Sequence, residues 1–271
     1  MDVAALVRRP GLAGTTWSVD IRVAGRPVHG HEPDRLLRTA SLGKVFLLVE
    51  VADRVERGLL DPSEPLRRDR VSPVADSGLW QHLTTTELPV VDAACLVGAV
   101  SDNWATNALL DLVGLEAVHD RARRLAPGGS MLHDLVRDVR TAHDPATLSE
   151  GCASDWAALF ADLALGEVVS PAVSRRVLDW LATGTDLSMV ASALVLDPLA
   201  HVGTDRGVRL WNKTGTDSSA RADAGVVRGP AGLVSYGALC TWERRDDRPR
   251  AAVMAAMRDL GGEVARLAGA G

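Results

Sequence analysis

The sequence predicts an α+β fold. One antiparallel sheet is built from the two ends of the chain, helices cover both of its faces, and an all-helical lobe is inserted between them. Three observations predict it. Polar and apolar residues alternate along residues 16–23, the two-residue period of a half-buried strand. Strand-like runs return only in the last quarter of the chain, at residues 209–214, 222–227 and 233–242. Between them apolar residues recur mostly at helical spacing.

The elements follow in order. After residues 16–23, Ala24-Gly25-Arg26-Pro27 breaks the pattern and Val28 resumes it, which predicts an N-terminal hairpin. From Ser41 the period changes: Leu42, Val45, Phe46, Val49 and Ala52 recur as one helix face up to Arg57, and Gly58 stops the run. Helices are predicted over 88–100, 103–113, 154–165 and 170–181, within a helical middle running from Asp61 to roughly Gly203. The three late strands are separated by Gly and Asp turns, and residues 251–267, rich in Ala, Met and Leu, close the chain as a helix. Residues 1–271 therefore read as a single domain, with 1–58 and about 204–271 forming the sheet lobe and about 59–203 the helical lobe. A cleft between the lobes is the natural place for chemistry.

Composition excludes several functions. With 46% hydrophobic residues the chain can bury a sizeable core, and its net charge of −5 arises from acids and bases mixed along its length. No basic block is present to track phosphates, so no nucleic-acid partner is expected. The clusters Arg67-Arg68-Asp69-Arg70 and Arg244-Arg245-Asp246-Asp247-Arg248 carry acids of their own and read as solvated turns. Residues 1–10 lack the basic start and the apolar run of roughly 7–15 residues of a secretory signal. No window approaches the roughly 18 apolar residues of a membrane span. A cytoplasmic location and no membrane partner are expected. Cys95, Cys152 and Cys240, odd in number and far apart, suit reduced thiols packed as small hydrophobes.

Three short motifs carry the chemistry. Ser41-Leu42-Gly43-Lys44 sets a hydroxyl and an amine three positions apart at a helix start, on one face. A serine hydroxyl needs a base to become nucleophilic, and a lysine supplies one when burial or a neighbouring cation lowers its pKa. Ser101-Asp102-Asn103 begins a helix, where Ser101 reads as an N-cap followed by an acid in the first turn. Lys213-Thr214-Gly215 ends the strand-like run from Val208.

In this order the three motifs resemble the set found in class A β-lactamases and penicillin-binding proteins. The resemblance runs from about Thr16 to Leu260, includes the separation of Ser41 from Ser101, and implies a β-lactamase/transpeptidase-like fold. Residues 75–83 also resemble the loop before that family's second motif, and 223–227 the strand after its third. The resemblance implies that Ser41 attacks a carbonyl, Lys44 takes its proton, and Ser101 passes a proton to the leaving group under the field of Lys213. It implies that Asn103 holds the substrate amide and Lys44, and that the N–H groups of Ser41 and Thr216 receive the oxyanion. Thr214 and Thr216, beside Gly215, would meet a substrate carboxylate, and Trp80 or Leu79 would wall the cleft.

One part of the family pattern is missing. Class A β-lactamases carry a deacylating glutamate in Glu-x-x-Asn, whereas residues 131–154 hold Asp134, Asp138, Asp144 and Glu150 but no such sequence. An acyl group on Ser41 is therefore expected to persist. The function expected is a serine hydrolase acting through acyl-Ser41 on an amide, ester or β-lactam bond of a small acyl substrate. A biosynthetic acyltransferase or esterase, and a penicillin-binding sensor, are the alternatives. The seven histidines offer only His29-x-His31 as a close pair, and no Gly-x-Ser-x-Gly elbow surrounds any serine. Neither a metal site nor a cofactor is expected.

Overall fold

The computed structural model describes residues 1–205, 207–243 and 246–270. The Arg244-Arg245 half of the second charged cluster thus lies outside the described residues. The chain begins with helix α1 (Val3–Val7), capped by Asp2 on the N–H of Ala5, and continues into strands β1 (Thr16–Val23) and β2 (Arg26–His31). After β3 (Leu37–Arg38) comes α2 (Lys44–Glu56), entered through a tight 3-10 turn, Ala40–Gly43. Next are β4 (Pro65–Arg67), β5 (Glu87–Pro89), α3 (Val90–Val100), α4 (Asn103–Val113) and α5 (Leu115–Leu125). The remainder is β6 (Met131–Leu132), β7 (Ser149–Gly151), α6 (Ala153–Leu165), α7 (Pro171–Leu181), β8 (Arg209–Asp217), β9 (Ala220–Gly229), β10 (Gly232–Thr241) and α8 (Arg250–Ala268).

The main sheet has the order β2-β1-β10-β9-β8 and is antiparallel throughout. The N-terminal hairpin joins the C-terminal strands through β1 and β10, from Thr16 opposite Thr241 to Val23 opposite Val234. Strand alternation then supplies two apolar faces. On one face Trp17, Val19, Ile21, Tyr236 and Cys240 pack beneath α8, whose Val253, Met257, Leu260 and Val264 recur at helical spacing. On the other, Ala222, Ala224, Val226 and Leu239 join the core of the helical lobe through Trp156, Leu159 and Phe160 of α6.

Helix α2 is the spine of that lobe and is buried from Lys44 to Asp53. Its apolar residues meet α3, α4, α6 and α7, while Glu50 and Asp53 face the buried guanidinium of Arg121 on α5. A buried charge without a partner is costly, so this triad fixes how α5 lies on α2.

Several expectations are corrected. The helix expected from residue 88 starts at Val90, because Leu88 precedes a proline and pairs with Leu66 in a short ladder. The helical middle is interrupted: residues 61–89 are mostly irregular, and residues 187–203 hold only a 3-10 turn, Val190–Leu194. That turn packs with Met189 and Leu196 on the α8 face of the sheet, so part of the segment assigned to the helical lobe covers the sheet instead. Strands β8 and β9 run longer than expected, and β8 continues through Lys213-Thr214-Gly215 to Asp217. Of the cysteines, Cys152 and Cys240 are buried and Cys95 half-buried, and all three are free. Among the described residues no helix is long and apolar enough to cross a membrane.

Candidate active site

Three connections meet where β8, the edge strand of the sheet, runs beside the helical lobe. The turn before α2 carries Ser41, the junction between α3 and α4 carries Ser101 and Asn103, and β8 carries Lys213, Thr214 and Thr216. Ser41, Ser101, Lys213, Thr214 and Thr216 line one cavity of about 230 Å³. Ser41 and Thr216 also border a second, of about 470 Å³, together with Asn103 and residues 136–140. Ser41 therefore stands where the two cavities join.

Gly215 explains how β8 comes so close to Ser41. A Cβ there would lie 1.9 Å from the Thr39 carbonyl oxygen and 2.9 Å from the Leu42 nitrogen, so only glycine lets the strand pass against the turn. The backbone is strained on both sides of the cleft. Ala40 and Ser101 adopt positive φ, 47° and 57°, a conformation that side-chain-bearing residues hold only where the surroundings enforce it.

The Ser101 junction differs from its expected cap. Ser101 ends α3 in the left-handed region, and Asp102 is the N-cap of α4, its Oδ1 accepting from Ala105 N at 2.9 Å. Asp102 Oδ2 accepts from the N–H groups of Leu79 (2.7 Å) and Trp80 (2.8 Å). Asn103 Nδ2 donates to the Ala75 carbonyl at 2.8 Å, so residues 75–80 are stitched onto the junction. Gly78, at φ 123°, makes room for this; a Cβ would sit 2.5 Å from the Asp102 carboxylate.

Lys44 is fully buried, and its Nζ bonds to the Ser101 carbonyl (2.7 Å), Asn103 Oδ1 (2.8 Å) and Ser101 Oγ (3.3 Å). None of these bonds goes to Ser41. Burial, and then the charge of Lys213, push Lys44 well below the usual lysine range, against the opposing pull of Asp102 and Asp76. A neutral amine has two N–H bonds and one lone pair. In that form the carbonyl and Asn103 Oδ1 would take the two protons and leave the lone pair for the Ser101 hydroxyl. Lys213 Nζ donates to Ser101 Oγ at 3.0 Å and to the Thr214 carbonyl at 2.8 Å. Burial lowers its pKa to about 8, with Asp186 and Asp223 opposing, so Lys213 stays charged at neutral pH.

Of the residues singled out in the sequence, Trp80 is displaced. It is fully buried, its indole donates to the Thr85 carbonyl at 3.2 Å, and it lines neither cavity. A large flat side chain gains more from the core than from a polar cleft. Leu79 is exposed but lines neither cavity. Ser77, within the loop 75–83 singled out in the sequence, lines the cleft, and Asp186, from the loop after α7, escaped the motifs; its Oδ2 accepts from the Thr214 hydroxyl at 2.7 Å. No spacing pattern marks Asp186.

The acids of residues 131–154 are already engaged. Asp134 accepts from Arg137 and Arg140, Asp138 from Ala75 N at 2.9 Å, and Asp144 from Thr141, while Glu150 sits 3.5 Å from His133 on β7. Of these acids only Asp138 borders the second cavity, which Asp76 and Asp217 also line. Among the described residues no cluster of three or more His, Cys, Asp or Glu could hold a metal ion; His29 instead pairs with Glu263 at 2.7 Å.

Comparison with known proteins agrees with this architecture. The β-lactamase from Sphaerobacter thermophilus DSM 20745 is 27% identical over 98% of this chain and 97% of its own, with a TM-score of 0.82. A β-lactamase from Xanthomonas campestris pv. campestris str. ATCC 33913 shares the fold at 20% identity, over 98% of this chain and 95% of that one, with a TM-score of 0.78. PBP-A does so at 20% identity, over 97% and 92%, with a TM-score of 0.75. No curated protein matches the sequence. The Beta-lactamase enzyme family matches residues 4–266, so the chain belongs to that family, as a β-lactamase- and penicillin-binding-protein-like serine hydrolase.

Proposed function

We propose that the protein is an acyl-enzyme catalyst whose nucleophile is Ser41 and whose acyl group outlives its formation. The observation that carries this reading is the buried, low-pKa Lys44 amine, held between Ser101 and Asn103 one turn after Ser41. Ser41 Oγ bonds to the acyl carbon while its proton passes to Lys44 Nζ. The oxyanion is received by the N–H groups of Ser41 and Thr216. Collapse breaks the bond to the leaving group, which takes its proton from Ser101 Oγ. Ser101 recovers one from Lys44, with the charge of Lys213 lowering the cost of the exchange. Asn103 holds Lys44 and the amide of the acyl donor.

The second half-reaction distinguishes this chain. A water attacking acyl-Ser41 needs a base on its far side, and residues 131–154 hold no Glu-x-x-Asn; Asp138, the one of their acids that borders the second cavity, already accepts from Ala75 N. Hydrolysis is therefore slow. The acyl group either moves to an acceptor other than water or remains, as in a transferase or a sensor. A mutant of PBP-A has been solved as an acyl-enzyme complex with penicillin G, and the same intermediate is proposed here. Intact-mass measurement during incubation with benzylpenicillin and with an activated phenylacetyl ester tests the reading. A stable single adduct with little product supports it. Rapid turnover of both probes refutes the slow second step.

A further inference from the structure

The resemblance drawn from the sequence gives Thr214 and Thr216 to a substrate carboxylate, but the structure has spent the first of these donors. The Thr214 hydroxyl donates to Asp186 Oδ2 at 2.7 Å. Asp186 Oδ1 is held in turn by Ser188 N at 3.1 Å and Ser188 Oγ at 2.6 Å, so the carboxylate is fixed beside the cavity it lines. Burial would raise its pKa, yet the hydrogen bonds from Ser188 and Thr214 and the charge of Lys213 hold it below the usual carboxylate range. It stays ionised.

The cations do not offset it. Lys213 is the lone cation among the described residues lining that cavity, and its charge is matched by Asp186. Arg221, farther along the sheet edge, gives Nη1 to the carbonyls of Asp217 and Ala220 at 2.7 Å each and lies over the Trp242 ring. It lines neither cavity. One positive and one negative group leave the end of the cleft with no net charge. What Asp186 and Thr214 present to the cavity is a carboxylate that accepts and a threonine oxygen whose lone pairs accept.

We infer that Asp186 sets the substrate class: the cleft takes acyl donors whose leaving group carries an uncharged hydrogen-bond donor, such as a carboxamide or hydroxyl, and discriminates against those carrying a carboxylate there. This rests on the reading of Ser41 as the acylated nucleophile. An incoming carboxylate meets a like charge a few ångströms away, a repulsion large enough in a partly buried site to decide selectivity. A carboxamide N–H meets the same group as an acceptor.

The test uses matched phenylacetylglycyl esters of 3-hydroxybenzoate and 3-hydroxybenzamide. The wild-type protein is acylated at least about tenfold faster by the benzamide ester. Asp186→Asn keeps an acceptor for Thr214 while removing the charge. It moves the ratio at least about tenfold toward the benzoate ester. An unchanged ratio in Asp186→Asn, or a wild-type preference for the benzoate ester, overturns the inference. Equilibrium binding of both esters to Ser41→Ala, which needs no acylation, separates the two claims. The binding ratio must show the same dependence on Asp186 even if Ser41 is not the nucleophile, and its absence also overturns the inference.

Discussion

Asn103 Oδ1 lies 2.8 Å from Lys44 Nζ, joining the first residue of α4 to the first residue of α2 across a fully buried contact. This bond and the one that Lys44 donates to the Ser101 carbonyl hold the amine between uncharged partners rather than in an ion pair, as the proposed role of Lys44 as the base requires. Lys44→Ala should slow acylation by about 10²–10⁴-fold, the usual worth of a positioned general base. Quenched-flow mass measurement checks it, and a loss under about tenfold would remove Lys44 from the chemistry.

The pH dependence of acylation follows from two lysines with opposite requirements. Lys44 must be neutral, so the rate climbs as pH rises through its depressed pKa. Lys213 must be charged, and its pKa of about 8 makes the rate fall above that pH. Lys213→Arg keeps the charge to far higher pH and should abolish the alkaline limb while preserving the acidic one. A pH–rate profile of both proteins reads this directly.

Asp223 gives a pH dependence of stability. It is fully buried between Asn212, Tyr236 and the N–H of Val190, and burial, with the Asp186 charge adding to it, raises its pKa from 3.8 to about 7. A folded-state pKa above the unfolded one favours the protonated form in the fold. The contribution is complete below about pH 4 and is lost as pH rises through about 7. Asp223→Asn removes this dependence, so the wild-type-minus-variant stability difference should fall as pH rises from about 4 through about 7. The variant should also cost about 1–3 kcal/mol, because its amide faces donors. Urea unfolding at several pH values reports both effects.

Arg121→Met should be among the most damaging changes remote from the cleft. It removes the buried partner of Glu50 and Asp53, 6% and 5% exposed, and leaves them only the more exposed Arg54 (2.8 Å) and Arg57 (3.7 Å). Breaking a buried ion pair from one side costs about 3–5 kcal/mol. Denaturant unfolding measures it, and a loss below about 1 kcal/mol would mean that water reaches the triad.

What was legible in the sequence is what local spacing encodes. Ser41 and Lys44, or Lys213 and Gly215, are bound to one another by a turn or a strand, so their chemistry shows as motifs. The sheet was legible because Thr16–Val23 alternates and the last strands stand as strand-like runs between Gly and Asp turns. Asp186 was hidden because its partner Thr214 lies 28 positions away across an irregular loop. Trp80 was misplaced because a tryptophan before the second motif suits a wall and a core equally. The stretch after α7 carries an apolar pattern that reads as helix, yet Val195 turns left-handed and Pro198 follows, ending it after one 3-10 turn.

The most direct test is to locate the acyl group. Incubation with an activated phenylacetyl ester, followed by proteolysis and fragment mass analysis, should place one phenylacetyl group on Ser41 and none on the Ser41→Ala protein. Equal labelling of the two proteins, or an adduct found only on Lys44 or Ser101, would contradict the account.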